Sequence, residues 1–428
     1  MTLALILIGL IALLLTGIPI FAGLGLISIG LLIFNEGQIS SVGDIVFGRL
    51  NIYLLVAIPM FAFMAHVMIK AKVIDDLFNT AHTLVRHLPG GLGVATVLSC
   101  TVFAAISGSS VATALTIGST AIPQMKRFGY RARETYGVVA AGGTLGILIP
   151  PSGPLILYGV VSETSIGALF IAGLIPGLLL AFAFAVFCMA QNAWREDVTR
   201  LERANLAETI KSLRQAFWAL LLPPLVLGGM YFGIFTATEA AGIGAVAALL
   251  IATLVYRNFG WRDLFEAACE TTRLSAMLFM ILAAAAIFSH VLTIMDLPSD
   301  LVKSVTSSGI GPIAFILAVM GVIFVLGMFL ETIAIILVTT PIVLPVLTTL
   351  SIDPIWYGIL LMINLELALI TPPVGMNLFV IKGIAKAPMA DVIGGILPYV
   401  GIMMLGLIVV LMFPQLALWL PRTMNYGL

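Results

Sequence analysis

A double proline inside an apolar stretch constrains this chain more than any other feature. Gly146-Ile-Leu-Ile-Pro-Pro-Ser-Gly153 returns 222 residues later (372 minus 150) as Ala368-Leu-Ile-Thr-Pro-Pro-Val-Gly375. The same shift superposes Pro123 on Pro345, Gly173 on Gly395 and Pro176 on Pro398 without a gap. An interior proline removes a backbone donor and clashes with the preceding turn, at a cost of about 3 kcal/mol or more. Two such breaks at equivalent places in two halves of one chain point to a built site. Paired breaks in apolar segments are the sequence pointer to the binding site of a secondary transporter.

An apolar break has this meaning only in a membrane, and composition puts it there. Of 428 residues, 61% are hydrophobic and 9% charged, against roughly 25% charged in soluble domains. The run from Leu3 to Phe34 has no basic leader and no small-residue cleavage site, so it reads as membrane spans and not as a removable signal. A net charge of +0 offers no basic field for nucleic acid. Cys100, Cys188 and Cys269 lie in apolar segments without metal or redox spacing and read as core residues. His66, His82, His87 and His290 are scattered, which argues against a metal centre.

At about 17–25 apolar residues per crossing, spans fall near 2–17, 18–34, 51–70, 134–159 and 168–194. A second set falls near 216–232, 236–256, 274–293, 357–381 and 389–413. The stretches 91–123 and 310–348 are interrupted midway by polar residues and read as re-entrant hairpins. Basic loops mark the cytoplasmic side. Lys70, Lys72 and Arg86 precede the first hairpin, and Lys126, Arg127, Arg131 and Arg133 follow it. Arg195–Arg214 and Arg257–Arg273 are charged as well, whereas the connections 35–49, 160–167, 294–309 and 349–356 are poor in Lys and Arg and read as external.

The second hairpin is flanked by Asp296, Asp300 and Asp353 with only Lys303, so it enters from the side opposite to the first. The loop 160–167 lacks Lys and Arg, while its equivalent carries Lys382 and Lys386. The fold expected is an all-α polytopic membrane protein, an inverted-topology repeat of two five-span halves. Each half holds one re-entrant helical hairpin and one Pro-Pro-broken helix. The first repeat covers 1–194, with scaffold spans in 1–70. The second covers 216–428, with scaffold spans in 216–293. Between them, 195–215 mixes charge signs at helical spacing and reads as a cytoplasmic linker helix. The stretches 73–88 and 257–270 are amphipathic; Phe259, Trp261 and Leu264 beside Arg257 and Arg262 suit a helix lying in the interface.

Four polar interruptions carry the chemistry. In the first hairpin Ser107-Gly-Ser-Ser110 leads into Thr113 and Thr116, and in the second Glu331 takes the place of Ser109, followed by Thr332. Gly142-Gly-Thr-Leu-Gly146 precedes one break; Asn364, Glu366 and Thr371 precede the other. A broken helix offers unwound carbonyls and a negative C-terminal end to a cation, and a positive N-terminal end to an anion. Pairing each break with one hairpin tip predicts two cation sites. One uses Ser107, Gly146, Ile149 and Pro151; the other uses Leu330, Ala368, Thr371 and Pro373. Oxygen ligands without a carboxylate cage suit Na⁺ better than Ca²⁺. An anionic substrate then sits near Ser109, Ser110, Ser152, Glu331, Thr332 and Asn377.

Plainer readings stand beside these. Single hydroxyls in membrane helices often serve packing alone. A carboxylate at mid-membrane costs roughly 2.5–3.5 kcal/mol on insertion scales, which favours a function for Glu331 at a hairpin tip. Glu366 and Asn364 fit equally a role in cross-linking helices. Glu239 sits in a short external turn and reads as solvated or structural.

SGSSVATALTIGSTAIPQM, GGTLGILIPPSGPLILYG, ETIAIILVTTPIVLPV and LITPPVGMNLFVIKGIA together resemble the large membrane subunit of tripartite ATP-independent periplasmic (TRAP) transporters, across essentially the whole chain. The resemblance implies a Na⁺-coupled importer of organic acids (C4-dicarboxylates, sialic acid or other carboxylates) in a bacterial inner membrane, working by an elevator mechanism. It implies no resident cofactor and two partners: a small membrane subunit of about four helices, and a periplasmic substrate-binding protein that delivers the ligand. Divalent-anion/Na⁺ symporters, a related elevator group, carry Ser-Asn-Thr at the hairpin tips, where this chain has Ser-Gly-Ser-Ser and Leu-Glu-Thr.

Three other classes compete with that subunit. A stand-alone carrier like those symporters needs no binding protein. An intramembrane serine hydrolase needs a base, and no His or Asp is expected in the membrane interior near Ser107–Ser110 to supply one. A passive channel also lines its path with broken helices.

Overall fold

The computed structural model describes residues 2–193 and 201–424. The chain enters through α1 (Thr2–Leu14), α2 (Ile20–Glu36), α3 (Val42–Leu50) and, after a 3₁₀ turn at Tyr53–Val56, α4 (Ala57–Lys70). Next come α5 (Val73–Val85), α6 (Gly91–Ser107), α7 (Ser110–Arg127), α8 (Ala132–Leu148), α9 (Gly153–Ser162) and α10 (Ile166–Asn192). The second half runs α11 (Leu206–Tyr231), α12 (Ala237–Leu250), α13 (Trp261–Ile294), α14 (Leu297–Ser307), α15 (Pro312–Gly327) and α16 (Thr332–Thr349). It closes with α17 (Pro354–Leu369), α18 (Met376–Ala385), α19 (Met389–Met412) and α20 (Gln415–Arg422). Among the described residues eight helical stretches are long and apolar enough to cross a membrane.

The two double prolines stop helices where the chemistry of proline requires. Ile149, just before Pro150, leaves the α region for φ −80°, ψ 119°, as the steric bulk of a following proline demands. Ser152 then caps the next helix, its hydroxyl accepting from the Leu155 amide at 3.4 Å. In the second half α17 ends at Leu369, and α18 starts only after Gly375 at φ +54°. Both Pro-Pro bonds are cis. The interrupted segments expected at 134–159 and 357–381 thus each consist of two helices.

The regions expected as hairpins are helix pairs with very short connections. α6 and α7 are separated by Gly108 and Ser109 alone; α15 and α16 are separated by Met328 to Glu331. α8 is buried along its length, packed between α6, α7, α10, α17 and α19. α4 packs on α12 and α13 and meets this group through α6 and α9, while α13 meets it through α16.

Two sequence expectations change, and two connections gain detail. The segment 195–215 is not a separate linker helix: 194–200 lies outside the described residues, 201–205 is not helical, and 206–214 forms the first turns of the continuous α11. The stretch 257–270 is not an independent interfacial helix either. From Trp261 it runs unbroken into the following span as the 34-residue α13, about 51 Å at 1.5 Å per residue. Its charges, which look like a loop, are held by partners: Glu266 and Glu270 pair with Lys70 of α4, and Arg262 pairs with Glu266. The connections 35–49 and 294–309 contain helices, α3 and α14.

Candidate functional site

Gly108 builds the first tip. At φ +59° it ends α6, its amide donating to the Ala104 carbonyl, a conformation open to glycine at little cost. A β-carbon there would collide with the Pro151 carbonyl oxygen. Gly146 makes the second close approach: a β-carbon on it would stand 2.5 Å from the Ser109 oxygen and 2.8 Å from the Ser110 nitrogen. The tip of the first helix pair therefore rests directly on the backbone of the first break. Ser109 caps α7, accepting from the Ala112 amide at 3.3 Å. The Ser107 hydroxyl lies 2.8 Å from that of Thr113, which donates to the Ser109 carbonyl at 2.8 Å.

The second tip meets the second break in the same way, more openly. The Gly375 amide donates to the Met328 carbonyl at 3.4 Å, and a β-carbon on Gly327 would press on Ala368 at 2.6 Å. Thr371 donates its hydroxyl to the Leu367 carbonyl at 2.6 Å. Pro151 is buried, whereas Pro373 is exposed. Glu331 occupies the N-cap of α16 without bonding the amides of its own helix.

Both tips face one cavity of about 500 Å³. Ser107, Ser109, Ser110 and Pro151 line it from the first side, Glu331 and Thr332 from the second. The opposite wall is supplied by α4 and α13, including Ile58, Phe61, Ile69, Leu274 and Leu278. Ser152 and Asn377, expected at the substrate, are buried outside the cavity lining, on the side of the first tip; Asn377 reaches the cavity through Ser110, donating from Nδ2 at 2.6 Å. Among the expected cation ligands, Gly146 and Ile149 sit behind Ser107 and Pro151, and Leu330, Ala368, Thr371 and Pro373 cluster around the second break, outside the cavity lining. Among the described residues no group of three or more His, Cys, Asp or Glu gathers to hold a metal ion. The oxygens present at the breaks are carbonyls and hydroxyls, a donor set that fits Na⁺.

One feature escaped the sequence reading, and one reading, that Glu366 and Asn364 cross-link helices, takes definite form. His66 lies in this cavity beside the serines, although nothing in the sequence separation suggests it. Its Nδ1 is 3.0 Å from the Thr271 hydroxyl, while Ser107 and Ser110 are bonded to Thr113 and Asn377; no nucleophile–base pair is formed. Glu366 is fully buried and bridges the halves: its Oε1 accepts from the Ile147 amide at 3.2 Å and the Leu148 amide at 3.0 Å. Asn364, on the same helix, donates to the Met320 carbonyl of α15 at 2.9 Å. Glu239 is the partner of Thr236 in an exposed capping box at the start of α12. A second cavity, of about 430 Å³, holds Arg49 and Glu163 and touches neither break.

Comparison with known proteins agrees over the whole length. The family profile described as tripartite ATP-independent periplasmic transporter, DctM component, matches residues 7–416. The C4-dicarboxylate TRAP transporter large permease protein DctM of Pseudomonas aeruginosa is 41% identical over 392 residues, covering 92% of each chain. The sialic acid TRAP transporter large permease protein SiaM of Vibrio cholerae is 34% identical, covering 98% of each. Among solved structures, the YdaH transporter of Alcanivorax borkumensis shares the fold with a TM-score of 0.64 at 13% identity, covering 90% of this chain and 88% of that one. With two glycine-seated tips, two proline breaks and this match from end to end, the chain belongs to the TRAP transporter family as its large, DctM-type permease component, a multi-pass membrane transport subunit.

Proposed function

We propose that this subunit is the membrane pathway of a Na⁺-coupled importer of organic acids in a bacterial inner membrane. The relatives' names point to C4-dicarboxylates, sialic acid and ectoine as the range from which its cargo comes. The observation that carries the reading is the single cavity reached by both hairpin tips, with each tip seated against its own proline break. In this reading the carbonyls of the first break with Ser107, and those of the second with Thr371, hold the coupling ions. The cargo occupies the cavity between Ser109, Ser110, Glu331 and Thr332. Positive ends of α7 and α16 point toward it and favour carboxylate oxygens.

The halves, in this proposal, form an inverted-topology repeat. The constant shift of 222 supports it: α7 (110–127) maps onto α16 (332–349), and α8 (132–148) onto 354–370, the position of α17. The tips and breaks move together as an elevator past α4, α11, α12 and α13. A periplasmic binding protein delivers the acid and a small membrane subunit completes the complex. Reconstitution with both partners tests this. An inward Na⁺ gradient should drive uptake of the acid; equal uptake under a K⁺ gradient would remove the coupling claim, and unsaturable flux without the binding protein would favour a channel.

A further inference from the structure

Glu366 stands where a carboxylate is hard to account for. It projects from α17 of the second half onto the last turn of α8, with no exposed surface. A helix C-terminus leaves carbonyls without partners, not amides, so no capping need explains an acceptor there. The α8 dipole turns its negative end toward this point, which disfavours a second negative charge. Oε2 has no hydrogen-bond partner, and among the described residues no ion pair includes Glu366. Left ionised, a carboxylate so buried needs a cation close by; without one it holds a proton.

Resting on the Na⁺ reading above, we propose that Glu366 is the counter-charge of the cation site at the first break, acting through the backbone. The Ile147 amide that it accepts from belongs to the same planar peptide unit as the Gly146 carbonyl, one of the oxygens assigned to the ion. The Leu148 amide is paired in the same way with the Ile147 carbonyl. A carboxylate on the N–H side draws density toward the carbonyl oxygen and strengthens it as a ligand, the cooperative effect of chained hydrogen bonds. It also fixes the orientation of those peptide units, as outer-shell partners do around bound metals. Glu366 is thus a positioning residue: it does not touch the ion.

The device belongs to one site only. At the position equivalent to Glu366 (366 minus 222), Thr144 donates its hydroxyl to the Ala141 carbonyl at 2.6 Å. Both helix ends are closed by their own backbone, Ile149 to Leu145 in α8 and Ile370 to Leu367 with Thr371 to Ala368 in α17; only α8 has the added carboxylate among the described residues. The two cation sites are therefore unequal, and the first is tuned from the opposite half of the chain.

The test is a Na⁺ titration of thermal stability at constant ionic strength, with choline as the replacement. It uses the full chain expressed with its partner subunits in lipid nanodiscs. Glu366→Gln keeps the shape and an acceptor oxygen but removes the charge; its half-saturating Na⁺ concentration should rise at least tenfold. Asn364→Leu, which breaks a buried bond on the same helix away from the break, should lower stability but leave half-saturation within twofold. A Glu366→Gln value equal to wild type, or shifts of equal size in both variants, would overturn the proposal. No Na⁺ stabilisation of the wild type would instead overturn the coupling reading itself. If Glu366→Gln does not assemble, Glu366→Asp retains the charge and loses the reach, and half-saturation should rise about threefold to tenfold; an unchanged value again overturns the proposal.

Discussion

Gly108 and Pro151 touch through their backbones, the α-carbon of one against the carbonyl oxygen of the other, with no room for a side chain between them. This contact ties a helix-pair tip to a proline break over 43 residues of chain (151 minus 108). It leaves the tip no freedom to drift from the carbonyls that the break exposes.

Replacing Gly108 with alanine meets two obstacles, a left-handed backbone and the Pro151 oxygen. The backbone alone costs about 1–2 kcal/mol. Na⁺-driven uptake should fall at least tenfold with a lowered unfolding temperature. Gly242→Ala, where nothing lies within 4 Å of the new methyl, should leave uptake unchanged. Similar uptake in both variants would show that the contact has no functional weight.

Alanine at both Pro150 and Pro151 restores two amide donors and removes the ring clashes that end α8. The helix should extend toward α9 and withdraw the Ile149 and Pro151 carbonyls. Insertion into the membrane should survive, while Na⁺ activation of uptake weakens by about an order of magnitude. Measuring uptake against Na⁺ concentration decides it: an unshifted activation curve sinks the first cation site.

Glu331 and Glu239 both stand at helix starts, yet only Glu331 faces the cavity. Glu331→Ala should abolish most uptake with little change in folding. Glu239→Ala breaks an exposed capping box and should lower the unfolding temperature slightly with uptake retained. Equal transport defects would remove Glu331 from the cargo site.

Lys70 bridges Glu266 at 2.8 Å and Glu270 at 3.3 Å, joining α4 to α13. These groups are partly exposed, so Lys70→Met should destabilise by less than about 1 kcal/mol. A larger loss in a denaturation or thermal assay would mean that this ion-pair cluster, and not apolar packing, holds α4 to α13.

The breaks, the tips and their pairing were legible because each depends on short-range chemistry: proline lacks a donor, glycine admits φ > 0, and a constant shift relates the copies. The continuity of α13 was not, because Asp263, Glu266, Glu270 and Arg273 set an interfacial helix apart from the following span until Lys70, distant in sequence, is brought against them. Glu366 announced itself as costly, but its contact with Ile147 spans 219 residues. His66 gave no signal at all, since its place in the cavity comes from the packing of α4 against α6 and α9. That Ser152 and Asn377 stand outside the cavity lining was hidden for a related reason. Proximity in sequence to a break says nothing of which way a buried side chain turns.

The long α13 and its neighbour α4 present the cavity with leucines, isoleucines and a phenylalanine, interrupted by His66. Leu274 and Leu278, one turn apart, share a face. A wall of this kind repels water and gives a carboxylate almost nothing to hold. In the proposed cargo site, the acid would be gripped from the side of the tips and free to part from the smooth side without breaking a bond. In the elevator proposed above, such a face would serve α4 and α13 as a greased rail, leaving the polar tips to decide where the cargo rests.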